Sequence, residues 1–223
     1  MSRTGEQIKE ITASLPEGVT LVAVSKFHPA EAVAEAYAVG QRVFGESRVQ
    51  ELRAKKELLP DNIEWHFIGT LQSNKVKYIA PFIGLIHSVD NLKLLAEIDR
   101  QATRYGRVID ILLELHIAEE STKHGLSPDE CAVLLDDDAV KAMKNIRIRG
   151  VMGMATFTDN NEQVRREFQA LKHHYESLKQ HYFAGSDSFD TVSMGMSDDY
   201  PLAIAEGSTM IRVGSKIFGD RGV

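Results

Sequence analysis

Short apolar runs rich in β-branched residues recur along the chain, and most of them are followed by a segment with helical periodicity. Eight such runs are predicted as strands, at positions 19–25, 42–44, 64–68, 85–88, 108–115, 146–151, 190–193 and 210–213. Strands that alternate with helices are typical of a parallel sheet, and eight βα units are the number that closes a barrel. The pattern therefore predicts one α/β domain over residues 1–223, a TIM (β/α)8 barrel.

The segments between the runs carry helix signals of their own. Residues 3–15 predict an additional N-terminal helix, which Pro16 and Gly18 end. The sequence Ser-Pro-Asp-Glu at 127–130 has the form of a capping box with proline in the first turn. An apolar stripe that alternates steps of four and three predicts a helix packed on the barrel wall; its members are Val164, Phe168, Leu171, Tyr175 and Leu178.

Composition narrows the class of protein. The 223 residues are 43% hydrophobic and 26% charged, as expected of a globular chain, and the net charge of -6 argues against nucleic-acid binding. No run of about 18 apolar residues is present, so no membrane association is expected. The only cysteine, Cys131, cannot form an internal disulfide, and we interpret it as a structural residue. The lack of a cysteine pair predicts a reducing, cytoplasmic location.

Lys26 stands directly after the first predicted strand. Barrels of this kind bind ligands at the C-terminal ends of their strands, so this lysine is expected at the rim of the barrel interior. Partial burial there would lower its pKa and make it a nucleophile toward aldehydes, as a Schiff base requires. Position alone leaves open that Lys26 reaches solvent or pairs with a carboxylate.

The loops after the last two strands predict an anion site. Barrels commonly bind phosphate there, and Ser193, Gly214 and Ser215 supply hydroxyl and backbone donors. Ser197 is interpreted instead as the N-cap of the following helix. Arg212 ends the eighth strand and cannot lose its proton, so opposite a pyridine nitrogen it would keep that nitrogen unprotonated. An ion pair with a rim carboxylate is the open alternative for this arginine.

Metal binding and nucleotide binding have little support in the sequence. The eight histidines have no metal-ligand spacing, and His173 and His174 are neighbours on a predicted outer helix, so no metal site is expected. The glycine spacing of residues 214–219 imitates a P-loop, but Asp220 stands where the lysine belongs. Nucleotide-binding folds are therefore not predicted.

Five motifs along nearly the whole chain resemble those of the pyridoxal phosphate homeostasis protein family, also called the YggS/PROSC family. They are LVAVSK at 21–26, FGESRVQE at 44–51, WHFIGTLQ at 65–72, SMGMS at 193–197 and IRVGSKIFG at 211–219. The resemblance implies a barrel like the N-terminal domain of alanine racemase that binds pyridoxal phosphate (PLP). It also implies storage, delivery or buffering of this vitamin B6 cofactor, without strong catalytic turnover.

The resemblance also assigns cofactor-binding residues. It implies that Lys26 forms the Schiff base, that Arg212 faces the pyridine nitrogen, and that Ser193, Gly214 and Ser215 contact the phosphate. His66 and Ser47 fall at positions near the cofactor in this family.

Some positions depart from the family pattern. Ser47 replaces the usual asparagine, and Phe27-His28 replaces a frequent Thr-Lys, which removes a nearby positive charge. Lys123 matches a family lysine in the loop after the fifth strand, where we prefer a solvated lysine to a second PLP site.

Three functions stay open at this point. The first is a non-enzymatic PLP-binding protein, with PLP-dependent apo-enzymes as partners and a monomer or weak homodimer as its state. The second is a PLP-dependent enzyme resembling an amino-acid racemase. The third is an aldolase that uses Lys26 as a Schiff-base lysine without the cofactor.

Overall fold

The computed structural model describes residues 2–119 and 125–219, and eight parallel strands in these ranges close into a barrel in chain order. The first strand pairs with both the second and the eighth, which closes the ring. The strands are β1 Thr20–Val24, β2 Val43–Glu46, β3 Glu64–Phe67, β4 Leu85–Val89, β5 Ile109–Glu114, β6 Ile146–Met152, β7 Thr191–Ser193 and β8 Met210–Val213. The predicted (β/α)8 barrel is thereby confirmed.

Helices surround the barrel. They are α1 Arg3–Ser14, α2 Ala30–Ala38, α3 Val49–Leu58, α4 Val76–Ile79, α5 Leu92–Arg104, α6 Pro128–Asp136, α7 Asp138–Ala142, α8 Asn161–Tyr182, α9 Tyr200–Ala205 and α10 Ser215–Phe218. The additional N-terminal helix is α1, which packs beside α2 and α10. The predicted capping box at the start of α6 is confirmed, because Ser127 Oγ accepts the Glu130 N–H and the Glu130 carboxylate accepts the Ser127 N–H.

The core has two layers, which follow from the alternation of side chains along each strand. Outward-facing strand residues pack against the helices, and all five members of the α8 stripe are buried in this layer. The inner layer fills the barrel with Val22, Leu85, Leu112, Met152 and Met210. Polar side chains also point inward, and they define the functional geometry described below.

A bulge interrupts the pairing of β5 with β6. Ile111 pairs with Ile148, but the next residue, Leu112, pairs with Gly150, so Arg149 is the extra residue. Gly150 has a φ of +152° and lies against the backbone of Thr191 in β7. Glycine is needed there because any Cβ would meet that backbone.

Two further observations concern the described ranges. None of their helices has both the length and the apolar character needed to cross a membrane, and they contain no group of three His, Cys, Asp or Glu side chains suited to a metal ion.

Cys131 is buried in α6, and burial raises the pKa of its thiol to about 12. The thiol therefore stays protonated and packs as a small apolar group.

Candidate functional site at the barrel mouth

A cavity of about 480 Å³ opens at the C-terminal ends of the strands, and we call it the mouth cavity. Four of the predicted site residues line it together: Lys26, Arg212, Gly214 and Ser215. The remaining lining comes from Val24, His28, Ile68, Met154, Phe157, Met196, Ser197, Asp198 and Gly219. The cavity thus combines an amine, a guanidinium, hydroxyls and glycine-rich backbone with apolar walls.

A buried ion pair supports the backbone that carries Lys26. Lys55 Nζ donates to the carbonyl oxygen of Ser25, at 2.8 Å, and to Glu46 Oε1, at 2.5 Å. Ser25 Oγ donates to the same carboxylate oxygen at 2.7 Å, and all three side chains are buried. Burial raises the pKa of Glu46 more than the charge of Lys55 lowers it. Charge and hydrogen bonds therefore fix the residue next to the half-buried Lys26.

The chain turns sharply after Lys26. Phe27 has a φ of +68°, a left-handed conformation that is uncommon for a bulky side chain. Its N–H donates to Glu51 Oε2 at 3.1 Å, and the Arg48 guanidinium lies 4.6 Å from the centre of its ring. Burial and the nearby charge of Lys55 lower the pKa of the next residue, His28, so a neutral ring stands where the family often has a lysine.

The loops after β7 and β8 meet at Ser197. Its Oγ accepts the N–H of Gly214 at 3.2 Å and the N–H of Lys216 at 3.5 Å. The interpretation of Ser197 as a helix N-cap is wrong, because Asp199 occupies that position and its carboxylate accepts the Met196 N–H. The loop instead folds back toward β8. The Ser197 hydroxyl therefore lies beside Gly214, one of the residues predicted to bind phosphate.

Arg212 reaches into the mouth cavity from the barrel interior and is only 5% exposed. Its Nη1 donates to Ser193 Oγ at 2.6 Å, and its Nη2 donates to the carbonyl oxygen of Gly153 at 3.0 Å. Burial lowers its pKa to about 10, so the guanidinium is charged at neutral pH. The structure describes no ion pair between Arg212 and a carboxylate within residues 2–119 and 125–219, where its printed partners are Ser193 and Gly153.

Three predicted residues lie outside the lining of the mouth cavity. Ser193 is fully buried, and its hydroxyl contacts Arg212 and His87. His66 lines a second cavity, of about 430 Å³, at the N-terminal ends of the strands, which we call the lower cavity. Ser47 is half-buried after β2, and its backbone packs against Gly69. Lys123, the candidate for a second site, lies outside the described residues.

These features agree with comparisons to known proteins. The sequence matches the family described as "Alanine racemase, N-terminal domain" over residues 2–222. A pyridoxal phosphate homeostasis protein from Aquifex aeolicus is 37% identical over 225 residues, which cover 99% of this chain and 96% of that protein. Another, from Escherichia coli K12, is 39% identical over 213 residues, covering 92% of this chain and 87% of that protein.

The chain belongs to the pyridoxal phosphate homeostasis protein family. A solved structure of a similar protein, PipY of Synechococcus elongatus PCC7942 with PLP bound, aligns with a TM-score of 0.88 and 37% identity. The alignment covers 97% of this chain and all of that one. The sequence-based family assignment is therefore confirmed.

Some residues of this family member were missed by sequence reasoning. Glu46 and Lys55 support the backbone at Lys26, and Phe157 lines the mouth cavity with 85% of its surface exposed. The sequence signal for Glu46 was its position two residues after the predicted strand 42–44, at the strand ends where barrels bind ligands. The structure extends β2 to this residue. Phe157 stands in a loop, where an aromatic residue has no periodicity to mark it.

Glu167 of α8 ties two rim loops together. Its carboxylate accepts the N–H of Glu119, at 3.0 Å, and the N–H and hydroxyl of Thr156, at 2.6 Å and 2.7 Å. These bonds lower the pKa of Glu167 against the opposing effect of its burial. The loop that carries Phe157 is thereby held at the edge of the mouth cavity.

Glu167→Ala is expected to lower the free energy of unfolding by about 3 kcal/mol, because the buried N–H and hydroxyl of Thr156 and the partly buried N–H of Glu119 lose their acceptor. Glu162→Ala, on the exposed side of the same helix, should change it by less than about 1 kcal/mol. Urea unfolding of the two variants measures the difference. Equal unfolding midpoints would show that Glu167 does not anchor the rim loops.

A second prediction concerns acid stability. Burial is the main cause that holds the pKa of His87 well below its usual value, and the charge of Arg212 adds to it. Below about pH 6.5 the unfolded chain therefore binds a proton that the folded chain does not, which destabilises the fold by about 1.4 kcal/mol per pH unit until the folded pKa is reached.

Urea unfolding of the wild type and of His87→Gln across this pH range tests the effect. We expect the stability of the wild type relative to the variant to fall as the pH falls below about 6.5. A difference that stays constant with pH would contradict a neutral His87.

Proposed function

We propose that this chain binds PLP in the mouth cavity and serves in intracellular homeostasis of the vitamin B6 cofactor by storing, delivering or buffering it. Residues 1–223 would act as one cofactor-binding domain. The observation that carries the proposal is the convergence of Lys26, Arg212 and the loops after β7 and β8 on one cavity at the strand ends. Relatives of similar length and fold carry the homeostasis name, and PipY has been solved with PLP bound.

The residues present fit the chemistry of this cofactor. The cavity volume of about 480 Å³ falls within the range typical of small-molecule sites. When bound, PLP supplies an aldehyde that condenses reversibly with a lysine amine, a phosphate and a pyridine ring. Lys26 provides the amine. The Ser197 oxygen accepts the N–H groups of Gly214 and Lys216, so its own hydroxyl proton is available to donate to an anion.

Each residue group then has a distinct role in the proposal. Lys26 would hold the aldehyde carbon, Gly214, Ser215 and Ser197 would hold the phosphate, and Arg212 would donate to the pyridine nitrogen, as the family resemblance implies. Ser193 would support the phosphate site only indirectly, because its hydroxyl is already bonded to Arg212. We therefore assign Ser193 to the placement of Arg212, and we assign no cofactor contact to His66 or Ser47.

We further propose that the chain binds the cofactor without strong turnover. Arg212 is charged and buried, so it donates to a ring nitrogen without transferring a proton to it. An unprotonated ring withdraws fewer electrons, which disfavours the chemistry of a racemase. This argument favours a carrier or buffer over the racemase-like alternative.

Cofactor transfer tests the proposal. The protein loaded with PLP is freed of excess cofactor and mixed with a PLP-dependent apo-enzyme, whose regained activity is followed over time. We expect faster and more complete recovery than from Lys26→Ala treated identically. No recovery above that variant would contradict a delivery role. Racemisation of alanine that Lys26→Ala abolishes would instead support the racemase-like enzyme, and aldol cleavage without PLP would support the aldolase.

Two wider expectations stay predictions. A cytoplasmic location follows from the lone cysteine and is checked by cell fractionation. A monomer or weak homodimer is checked by light scattering over a range of protein concentrations. PLP-dependent apo-enzymes are the partners that the proposal requires.

A further inference from the structure

A continuous row of polar side chains crosses the barrel interior from the mouth cavity to the lower cavity. Arg212 Nη1 lies 2.6 Å from Ser193 Oγ, which lies 3.1 Å from His87 Nδ1. His87 Nε2 lies 3.0 Å from His66 Nδ1, and His66 Nε2 lies 2.9 Å from Glu64 Oε1. Ser193 and His87 are 0% exposed and His66 is 1% exposed, so water does not compete for these bonds. Arg212 lines the mouth cavity, and Glu64 lines the lower cavity.

The mouth end of this row is compatible with donation from Ser193 toward His87. A guanidinium only donates, so Ser193 Oγ accepts from Arg212 and its own proton is available for His87 Nδ1. His87 is neutral in its buried position, so a ring that accepts at Nδ1 must carry its proton on Nε2. His87 then donates to His66 Nδ1.

The lower end requires the same direction. The hydrogen bond from His66 lowers the pKa of Glu64, which is therefore an ionised carboxylate that only accepts. His66 Nε2 must carry a proton to donate to it, and a neutral His66 then accepts at Nδ1 from His87. The carboxylate at the lower end thus selects the Nε2–H tautomer for both histidines when their rings are neutral, and the contacts of Ser193 with Arg212 accommodate it.

We propose that Ser193, His87 and His66 form a directional hydrogen-bond relay that holds Arg212 in place at the mouth cavity and links it to the lower cavity. The relay ends on Glu64. Its effect on the cofactor rests on the proposed function, whereas the two tautomers do not. Ser193, His87 and His66 are positioning residues in this account, because they act through Arg212.

Charges surround the lower end of the relay. Arg149 Nη1 and Nη2 each lie 2.9 Å from a carboxylate oxygen, of Asp110 and Asp190 respectively, and all three residues line the lower cavity with Glu64. At the mouth end, the charges of Asp199 and Glu114 act on Arg212. The relay therefore connects two sets of ionisable groups on opposite sides of the barrel.

Nuclear magnetic resonance of the protein labelled with 15N-histidine, without added cofactor, tests the tautomers directly. Correlations between ring nitrogens and carbon-bound protons distinguish protonated from unprotonated nitrogens, and His66→Gln and His87→Gln assign the signals. At about pH 7.5 we expect both rings to carry their proton on Nε2. A proton on Nδ1 of His87 at about pH 7.5 would overturn the relay.

Cofactor binding tests the role of the relay toward Arg212. Ser193→Ala removes the acceptor of a charged donor, and we expect affinity for PLP to fall roughly 10-fold to 100-fold. Ser208→Ala is the matched control, because Ser208 is also buried beside β7 and β8 but donates to the carbonyl oxygen of Met194, outside the relay.

The outcomes separate the two claims. Equal PLP affinities for Ser193→Ala and Ser208→Ala would overturn the positioning role. A wild-type protein that binds no PLP would contradict the proposed function, whereas the histidine spectra would still decide the relay by themselves. Nε2–H tautomers together with the selective loss of affinity in Ser193→Ala would support both.

Discussion

Replacing Gly150 by alanine is expected to remove a large part of the stability of the barrel. A Cβ at this position would lie 1.8 Å from the carbonyl oxygen of Thr191 and 2.7 Å from its carbonyl carbon. These are backbone atoms of the neighbouring strand, so the clash cannot be relieved by a rotamer change. Gly150 also has a φ of +152°, which side chains rarely adopt.

The change must break the pairing of β6 with β7, because Gly150 pairs with Thr191 there. We expect a loss of more than about 4 kcal/mol, against a total of about 5–15 kcal/mol for a typical domain. Gly106→Ala is the control, because Gly106 has a φ of +61° but no atom within 4 Å of its Cβ position. It should cost about 1–2 kcal/mol. Similar urea midpoints for the two variants would contradict the close contact at Gly150.

Lys55→Met is expected to have the second large effect. It leaves the buried carboxylate of Glu46 without its counter-ion and the carbonyl oxygen of Ser25 without its donor. Removing one partner of a buried ion pair costs about 3–5 kcal/mol, because the remaining charge is uncompensated. Since Ser25 precedes Lys26, we also expect a smaller fraction of the protein to form a borohydride-reducible bond with PLP.

Two variants make this test specific. Glu46→Gln combined with Lys55→Met removes the unpaired charge and should recover most of the lost stability. Lys56→Met breaks only the pair with Asp61, whose side chain is 99% exposed, and should cost less than about 1 kcal/mol. If Lys55→Met and Lys56→Met unfold at the same urea concentration, the buried pair does not stabilise the fold.

Much of the fold could be predicted because barrel strands and amphipathic helices each require a characteristic spacing of apolar residues in the sequence. Errors occurred where a tertiary partner decides the structure. The second strand was predicted at 42–44, yet β2 continues to Glu46. Glycine and glutamate disfavour strands, but the charge of Glu46 is met by Lys55, which no local pattern reveals. The short helix α7 was not predicted, and the local signal for it is the Asp137 side chain that accepts the Ala139 N–H.

The residues of the candidate site also divide into those that local sequence patterns predict and those whose contacts depend on the tertiary structure. Lys26, Gly214 and Ser215 were found because they follow strands, and the ends of parallel strands meet at one face of a barrel. The contacts of Ser193 and His66 were not predictable, because they depend on side chains from other strands in the interior. Sequence spacing does not reveal which polar groups face each other across a barrel.

The most direct test of the account is the absorption spectrum of the protein with PLP, before and after borohydride, followed by mass spectrometry of its peptides. We predict a visible band that borohydride removes and a reduced cofactor attached to Lys26, with no band in Lys26→Ala. Attachment to another lysine, or a spectrum equal to that of free PLP, would contradict the assignment of the mouth cavity as the cofactor site.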